Sequence, residues 1–304
     1  MDYGVFLPVS GAAATGDGLK HAAATAERLG FSTVWAADRI IIPWTIETSY
    51  AYSWSDKFIV PPEKPFLEAM TALAFLAGAT ERVRLGISVL VGPYRDPIHW
   101  AKIAASISQL SEGRFILGFG IGWMEEEFEA LGRGELFHKR GRVGDEQLAV
   151  ARNLFADDHC SFHGDFYSYE DIAFYPKGSV PIWCGGESAA AQRRAGRSGD
   201  AWFPYFARIA PQELRGRYEN VQRAATEAGR DRTALRLNCC LSVEVTEEPV
   251  EQEPDMLRGS VEQVAEAIGR FEDVGVEHLA LQFIVGRYPE RLAQMEALMP
   301  ELTR

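Results

Sequence analysis

The stretch Arg114-Phe-Ile-Leu-Gly-Phe-Gly-Ile-Gly-Trp-Met-Glu-Glu-Glu-Phe-Glu-Ala-Leu-Gly132 carries the strongest fold signal in the chain. Its apolar first half predicts a buried strand, and its acidic second half predicts the start of a helix. Between them, Gly118, Gly120 and Gly122 place three residues without a Cβ on one face of the strand. Two interpretations stay open. Either a flat, flavin-like ring lies against this face, or the strand packs closely inside a barrel.

Outward from this stretch, short apolar runs alternate with helical patterns, which is typical of βα units around a parallel sheet. The predicted strands cover residues 3–8, 33–38, 83–89, 114–120, 180–185, 201–204, 235–245 and 278–283. The predicted helices cover residues 17–29, 66–79, 97–111, 138–155, 188–197, 211–228 and 260–274, with a last one ending near residue 302. Eight strands and eight helices predict an α/β fold, a single-domain (β/α)8 TIM barrel over residues 1–304.

Two segments depart from the regular alternation. Residues 160–174 alternate polar and aromatic side chains and predict a small excursion hairpin. Residues 39–65, after the second strand, form a loop longer than a connector needs, and such loops are usually functional. We expect its aromatic residues to form a lid over an apolar or ring-containing substrate: Trp44, Tyr50, Tyr52 and Trp54.

Composition excludes several classes of function. The net charge is −12, with no dense Lys/Arg stripe, so we expect no nucleic-acid partner. The sequence shows no apolar run of membrane-spanning length and starts on a strand-like pattern rather than a leader, so we expect a cytoplasmic protein without a membrane partner. The four cysteines include no Cys-x-x-Cys pair, and His159 and His163 lack the glutamate of a zinc motif, so no metal site is predicted.

A (β/α)8 barrel gathers its functional groups at the carboxyl ends of its strands. The most specific of these ends is Trp183-Cys-Gly-Gly-Glu-Ser-Ala-Ala190, where a strand turns through two glycines into a helix. The exposed amides of a helix N-terminus suit a phosphate. The alternative is that Ser188 is an ordinary N-cap.

Four segments together resemble the bacterial luciferase-like flavin and deazaflavin oxidoreductases. They are Ala26-Glu-Arg-Leu-Gly-Phe-Ser-Thr-Val-Trp-Ala-Ala-Asp38, Arg82-Val-Arg-Leu-Gly-Ile-Ser-Val-Leu90, Gly113-Arg-Phe-Ile-Leu-Gly-Phe-Gly-Ile-Gly-Trp123, and Pro181-Ile-Trp-Cys-Gly-Gly-Glu-Ser188 followed by Gly199-Asp-Ala-Trp-Phe-Pro204. They span most of the chain. The stretch from Gly122 to Gly132 is similar to the branch of the family that uses coenzyme F420, a deazaflavin that transfers hydride.

The resemblance implies a role for each matching position. Asp38 is expected to face the cofactor ring, and Ser88 and Val89 to form a bulge with a non-prolyl cis peptide behind the ring. The remaining cofactor-binding residues implied are Gly120 and Gly122 along the ribityl chain, and Gly185, Gly186, Glu187 and Ser188 at the phosphate.

Two positions depart from the family pattern. Some deazaflavin dehydrogenases have a histidine after the strand-two aspartate and a glutamate at the end of strand four, where this chain has Arg39 and Trp123. Arg39 can stabilise negative charge on a reduced ring or a substrate oxygen, or form a salt bridge at the barrel rim. Trp123 can wall the pocket or lie in the core. Glu127 is the third catalytic candidate, with a helix-start position as its alternative explanation.

The resemblance therefore predicts an F420-dependent oxidoreductase. The first alternative is a monooxygenase that uses reduced FMN and oxygen with a separate flavin reductase as partner. The second alternative is a flavin-binding protein without catalytic activity. The family also implies a homodimer.

Overall fold

The computed structural model describes residues 1–50, 52, 53, 57, 58 and 60–303, and its centre is a closed barrel of eight parallel strands. The strands in the described ranges are β1 (Asp2–Phe6), β2 (Thr33–Ala36), β3 (Arg84–Val91), β4 (Phe115–Gly120), β5 (Cys160–His163), β6 (Ser168–Ile172), β7 (Ile182–Cys184), β8 (Ala201–Trp202), β9 (Tyr205–Phe206), β10 (Arg236–Val245), β11 (Leu257–Gly259) and β12 (His278–Phe283). The order of strands around the barrel is β1, β2, β3, β4, β7, β8, β10 and β12, and β12 pairs back onto β1. The (β/α)8 TIM barrel is thereby confirmed.

The helices cover the outside of the barrel and begin at recognisable caps. Asp96 and Ser188 each accept hydrogen bonds from the first-turn amides of their helices, and Ser260 forms a capping box with Gln263. The α-helices in the described ranges are α1 (Gly16–Leu29), α2 (Ala69–Ala77), α3 (Pro97–Leu110), α4 (Glu125–Ala130), α5 (Arg140–Ala156), α6 (Ala189–Ser198), α7 (Pro211–Glu227), α8 (Val261–Asp273) and α9 (Tyr288–Leu302). None of these helices is both long and apolar enough to cross a membrane.

The excursion hairpin is confirmed as the antiparallel pair β5 and β6. The predicted strand 201–204 is instead two short strands, β8 and β9, which both pair with β10. Pro204 lies between them and has no amide hydrogen to donate to a ladder, while its carbonyl accepts from the amide of Cys240. The strand β11, which pairs with the far end of β10, was not predicted from the sequence.

Trp35 fills the middle of the barrel and requires two glycines beside it. A Cβ on Gly4 would lie 2.4 Å from Trp35 Nε1, and one on Gly86 would lie 2.3 Å from Trp35 Cε3. Phe203 stacks on Trp35 at 4.4 Å between ring centroids, and Trp183 lies 5.3 Å away. The middle of the barrel is therefore a packed core rather than a pore.

Adjacent cysteines show the two faces of a barrel strand. Cys239 lies in the core between barrel and helices, and Cys240 lies in the inner core with Trp35. This alternation follows from the two-residue period of a strand.

His278, the first residue of β12, is a buried histidine that accepts a hydrogen bond from Trp35 Nε1 at 3.2 Å. Burial, together with the charges of Arg84 and Arg236, lowers the pKa of His278 to about 3. The folded protein therefore keeps this imidazole neutral at pH values where an unfolded chain, with a histidine pKa of about 6.5, binds a proton.

This difference predicts a pH-dependent stability. As the pH falls from about 6.5 toward 3, the unfolded state binds a proton at His278 that the folded state does not bind. The free energy of unfolding therefore decreases, by about 2 kcal/mol at pH 5. Urea denaturation at pH 7 and pH 5 measures it. In His278→Gln, which keeps an acceptor for Trp35, the drop in the free energy of unfolding from pH 7 to pH 5 should be smaller by about this amount. In His99→Gln, which changes an exposed histidine, the drop should stay as in wild type. Equal slopes in wild type and His278→Gln would contradict the assignment.

Candidate active site

The third strand carries a bulge at the position that the family resemblance implied. The register between β3 and β4 slips between Ile87 and Leu90, and the peptide bond between Ser88 and Val89 is cis. The side chain of Val89 turns into the barrel and packs against Trp35 and its neighbours. The predicted cis peptide is confirmed, while the contacts of Ser88 and Val89 with a cofactor stay predictions.

The glycine-rich strand makes room for this bulge. A Cβ on Gly118 would lie 2.0 Å from the carbonyl oxygen of Ile87, and one on Gly120 would lie 2.5 Å from Val89 Cγ2. A Cβ on Gly185, which directly follows β7, would lie 3.0 Å from Val89 Cγ1. The close-packing interpretation is therefore correct at Gly118 and Gly120. The surface that faces the barrel mouth is the half-buried side chain of Val89 rather than bare backbone.

Gly122 has a different role from the other two glycines. It follows the end of β4 with a φ of 80°, and a Cβ there would lie 2.7 Å from Val91 Cγ1. Gly122 therefore supports the turn from β4 into α4, which few other residues can make at this φ.

Both carboxylate oxygens of Asp38 accept hydrogen bonds, and Arg95 is their main donor. Its two carboxylate oxygens accept from Arg95 at 2.7 and 2.8 Å, and Oδ2 also accepts from the amide of Val91 at 2.9 Å. The bidentate pair fixes the carboxyl end of β3 relative to β2. Sequence reasoning missed Arg95, although a charged residue soon after a strand end was an available signal. Contact between Asp38 and a cofactor ring stays a prediction.

Arg39 and Glu127 form a buried ion pair at the barrel rim. Arg39 Nη1 donates to Glu127 Oε2, and Glu127 Oε1 accepts from the amides of Ile40 at 2.9 Å and Ile41 at 3.2 Å. Glu127 is fully buried and Arg39 is 7% exposed. The salt-bridge interpretation of Arg39 is thus correct, though the pair is buried. A catalytic role for either residue stays a prediction and would require the pair to open.

The aromatic side chains of the loop after β2 form a closed cluster with two residues from outside the loop. We name this cluster the aromatic lid after the predicted function of the loop, and its closure over a substrate stays a prediction; its members are Tyr50, Tyr52, Phe58, Trp123 and Tyr205. Tyr50 lies 4.7 Å from Trp123 and 5.3 Å from Tyr52 between ring centroids, and Tyr52 lies 5.8 Å from Tyr205. The guanidinium of Arg39 lies 4.9 Å from the rings of both Phe58 and Trp123. Phe58 and Tyr205 were missed from the sequence.

Trp44 lies outside this cluster, with a side chain that is 81% exposed, and its contact with a substrate stays a prediction. The reason lies in the anchors on either side of it. Glu127 holds Ile40 and Ile41, and Glu126 accepts hydrogen bonds from Thr48. Between these anchors, Trp44, Thr45 and Glu47 are exposed. Trp54, the fourth predicted lid residue, lies outside the described residues.

The lid contacts give a stability prediction. Tyr50→Ala removes ring contacts with Tyr52, Phe58 and Trp123, and should lower the free energy of unfolding by about 2 kcal/mol. Trp44→Ala is the matched control and should stay within about 0.5 kcal/mol of wild type. Denaturant titration measures both. A larger loss in Trp44→Ala than in Tyr50→Ala would contradict the described lid.

Burial controls the ionisation of the lid hydroxyls. It raises the pKa of Tyr50 to about 12, and it raises the pKa values of Tyr52 and Tyr205 further. The Tyr205 hydroxyl shares a hydrogen bond of 2.7 Å with Ser242 Oγ. All three phenols are therefore neutral at physiological pH, and the Tyr52 hydroxyl hydrogen-bonds the Glu187 side chain.

Beside the lid, β7 turns into α6 through Gly185 and Gly186. Gly186 has a φ of 92°, and its carbonyl accepts from Trp202 Nε1 at 2.9 Å. Ser188 Oγ accepts from the amide of Ala191 at 3.2 Å, so its side chain is an N-cap. A phosphate at the remaining first-turn amides stays a prediction. Glu187 lines a cavity of about 290 Å³ bounded by Tyr52, Ser53, Tyr205, Phe206, Ala207 and Arg208.

The sequence of this chain is similar to those of known proteins. Residues 1–254 match the family model described as luciferase-like monooxygenase. The F420-dependent glucose-6-phosphate dehydrogenase of Amycolatopsis mediterranei is 32% identical over 184 residues, which cover 59% of this chain and 50% of that protein. The FMNH2-dependent dimethylsulfone monooxygenase of Pseudomonas putida is 35% identical over 141 residues, covering 45% of this chain and 39% of that protein.

Among solved structures, an F420-dependent secondary alcohol dehydrogenase in complex with an F420-acetone adduct superimposes with a TM-score of 0.80. The alignment covers 99% of this chain and 98% of that one, at 19% sequence identity. At this identity the likeness shows the fold alone.

Proposed function

This chain belongs to the luciferase-like monooxygenase family, and from that premise we propose that it is an oxidoreductase that transfers hydride between F420 and an apolar or ring-containing organic substrate. The observation that carries the proposal is that Val89 and the lid residue Tyr205 both pack, half-buried, against the same inner core of the barrel. We infer that a planar ring and a second apolar molecule bind at this end of the barrel.

The residues around the mouth fit a deazaflavin. Val89, backed by Gly120 and Gly185, offers an apolar surface to a ring, and the first turn of α6 offers amides to a phosphate. A bound deazaflavin would supply a carrier for two electrons and a hydrogen as hydride. The protein's own residues would hold the two reactants side by side and exclude water with the aromatic lid. The guanidinium of Arg39 lies against two rings of this lid, Phe58 and Trp123.

The relatives of this chain use two different cofactors, F420 and FMNH2. The glucose-6-phosphate dehydrogenase relative is F420-dependent, which favours F420. The dimethylsulfone monooxygenase relative supports the second candidate, an FMNH2-dependent monooxygenase that consumes oxygen and needs a reductase partner.

A titration of cofactor-free protein decides between them. Fluorescence or calorimetry would follow binding of F420 and of FMN, each oxidised and reduced. Tight binding of F420 alone supports the proposal, and turnover should then proceed equally well without oxygen. Preference for reduced FMN with oxygen consumption would replace the proposal by the monooxygenase. Binding without turnover across a substrate panel would favour the non-catalytic alternative. Light scattering on the same sample tests the predicted homodimer.

A further inference from the structure

A second cavity lies at the end of the barrel opposite to the candidate active site. Its volume is about 250 Å³, and it is lined by residues of α5, the end of α6 and the turn after α7: Leu148, Ala149, Arg152, Arg197, Ser198 and Arg230. Because α6 begins after the carboxyl end of β7 and ends just before β8, its last turn lies at the amino ends of the strands. The cavity is therefore separate from the aromatic lid and from the predicted cofactor site.

Every charged side chain in the wall of this cavity, among the described residues, is an arginine. One carboxylate lies close by: Asp200 accepts a hydrogen bond from Arg152 at 2.8 Å, and its other oxygen accepts from the amide of Ile182. Arg197 and Arg230 have no carboxylate partner in the described part of the chain. In a chain with a net charge of −12, this cavity is thus a local site of positive charge.

Backbone carbonyls hold two of the arginines in place. Arg152 Nη2 donates to the carbonyl of Ser198 at 2.9 Å. Arg230 donates to the carbonyls of Gly196 at 2.7 Å and Gly199 at 2.8 Å. These carbonyls lie at the C-terminal end of α6, where the helix dipole favours positive charge. The contacts use only part of each guanidinium, so both arginines keep N–H groups for a further acceptor.

Arg197 differs from the other two arginines. Its side chain is exposed and makes no hydrogen bond or ion pair with the residues that the structure describes. The dipole of α6 favours a positive charge in its last turn, but it does not explain why Arg197 lines the same cavity as Arg152 and Arg230. Like charges that line one cavity repel, and an anion bound between them removes this repulsion.

We propose that this cavity binds a phosphate group, either as free phosphate or as part of a phosphorylated small molecule. Guanidinium groups bind phosphate oxygens through paired N–H donors, and Arg152 and Arg230 are already oriented by the backbone. A doubly charged anion matches the two arginines that have no carboxylate partner. The inference goes beyond the proposed function, because the cavity lies at the far end of α6 from the predicted cofactor phosphate.

Calorimetric titration of the cofactor-free full chain at pH 8 and constant ionic strength tests the proposal with three probes: inorganic phosphate, glycerol phosphate and acetate. Wild type should bind at least one of the two phosphates about tenfold more tightly than the singly charged acetate. Tighter binding of inorganic phosphate would identify free phosphate as the ligand. Tighter binding of glycerol phosphate would identify a phosphate ester.

Variants of α6 locate the binding site. Arg197→Gln should weaken phosphate binding about tenfold, and Arg197→Glu should weaken it further. Arg193→Gln is the matched control, since it removes the same charge from an exposed position on α6 outside the cavity wall, and its affinity should stay within about twofold of wild type. Phosphate at Ser188 would be about 14 Å from Arg197 along the helix and would not respond to these changes.

Three results would overturn the proposal: binding of neither phosphate by wild type, equal affinity for acetate and for the phosphates, or phosphate binding that is unchanged in both Arg197 variants. An equal loss in Arg193→Gln would also overturn it, since it would show a general charge effect. Circular dichroism checks that the variants fold, as expected for changes at an exposed side chain. The wild-type comparison requires no variant.

Discussion

Glu127→Ala should lower the free energy of unfolding by about 3–5 kcal/mol, because it leaves the buried guanidinium of Arg39 without its carboxylate. The variant also removes the acceptor of the Ile40 and Ile41 amides, which fix the start of the loop after β2. Urea denaturation followed by circular dichroism measures the loss. The substitution should therefore disturb the aromatic lid as well as global stability.

Two further variants isolate the cause. Glu126→Ala removes the neighbouring carboxylate, which also accepts loop hydrogen bonds but is only half-buried, and should cost about 1 kcal/mol. The double variant Arg39→Met, Glu127→Leu replaces both charges with apolar groups and should recover a large part of the loss. A single Glu127→Ala variant within about 1 kcal/mol of wild type would show that the buried pair does not stabilise the fold.

Gly118→Ala should be the second strongly destabilising change, at about 3 kcal/mol or more. The added Cβ would lie 2.0 Å from the carbonyl oxygen of Ile87, a backbone atom of the β3 bulge that cannot rotate away. Overpacking usually costs about 1–3 kcal/mol, and a clash with backbone belongs at the upper end or beyond. Thermal or urea unfolding measures the effect.

Gly269→Ala is the matched control, since it adds the same methyl group in α8, where a new Cβ meets no atom within 4 Å. It should stabilise the protein by about 0.5–1 kcal/mol, because alanine loses less backbone entropy than glycine in a helix. If Gly118→Ala were as stable as wild type, the bulge of β3 could not lie where the structure places it.

The order of elements was predictable because it depends on local periodicity. Alternating apolar runs and helical patterns were enough to predict the eight barrel strands, the excursion hairpin and the carboxyl-end location of the site. The split of 201–204 around Pro204 was missed, since a proline can end a short strand or lie beside it and only the pairing with β10 distinguishes the two.

Side-chain partners were predictable only in part. The sequence located Arg39 and Glu127 at the mouth, and the resemblance located the Ser88 and Val89 bulge. The pairing of Asp38 with Arg95 was not accessible, because the two residues are 57 positions apart and their contact depends on how β2 and β3 lie together.

The sequence by itself determined the barrel and the family, because residue pattern and motif order are local properties of the chain. The tertiary structure alone decided that Val89 covers the glycines, that Trp44 faces solvent while Tyr205 joins the lid, and that Glu187 keeps an unpaired oxygen. Each of these depends on which distant side chain fills a given space or supplies a given hydrogen bond, and that is settled only when the barrel closes.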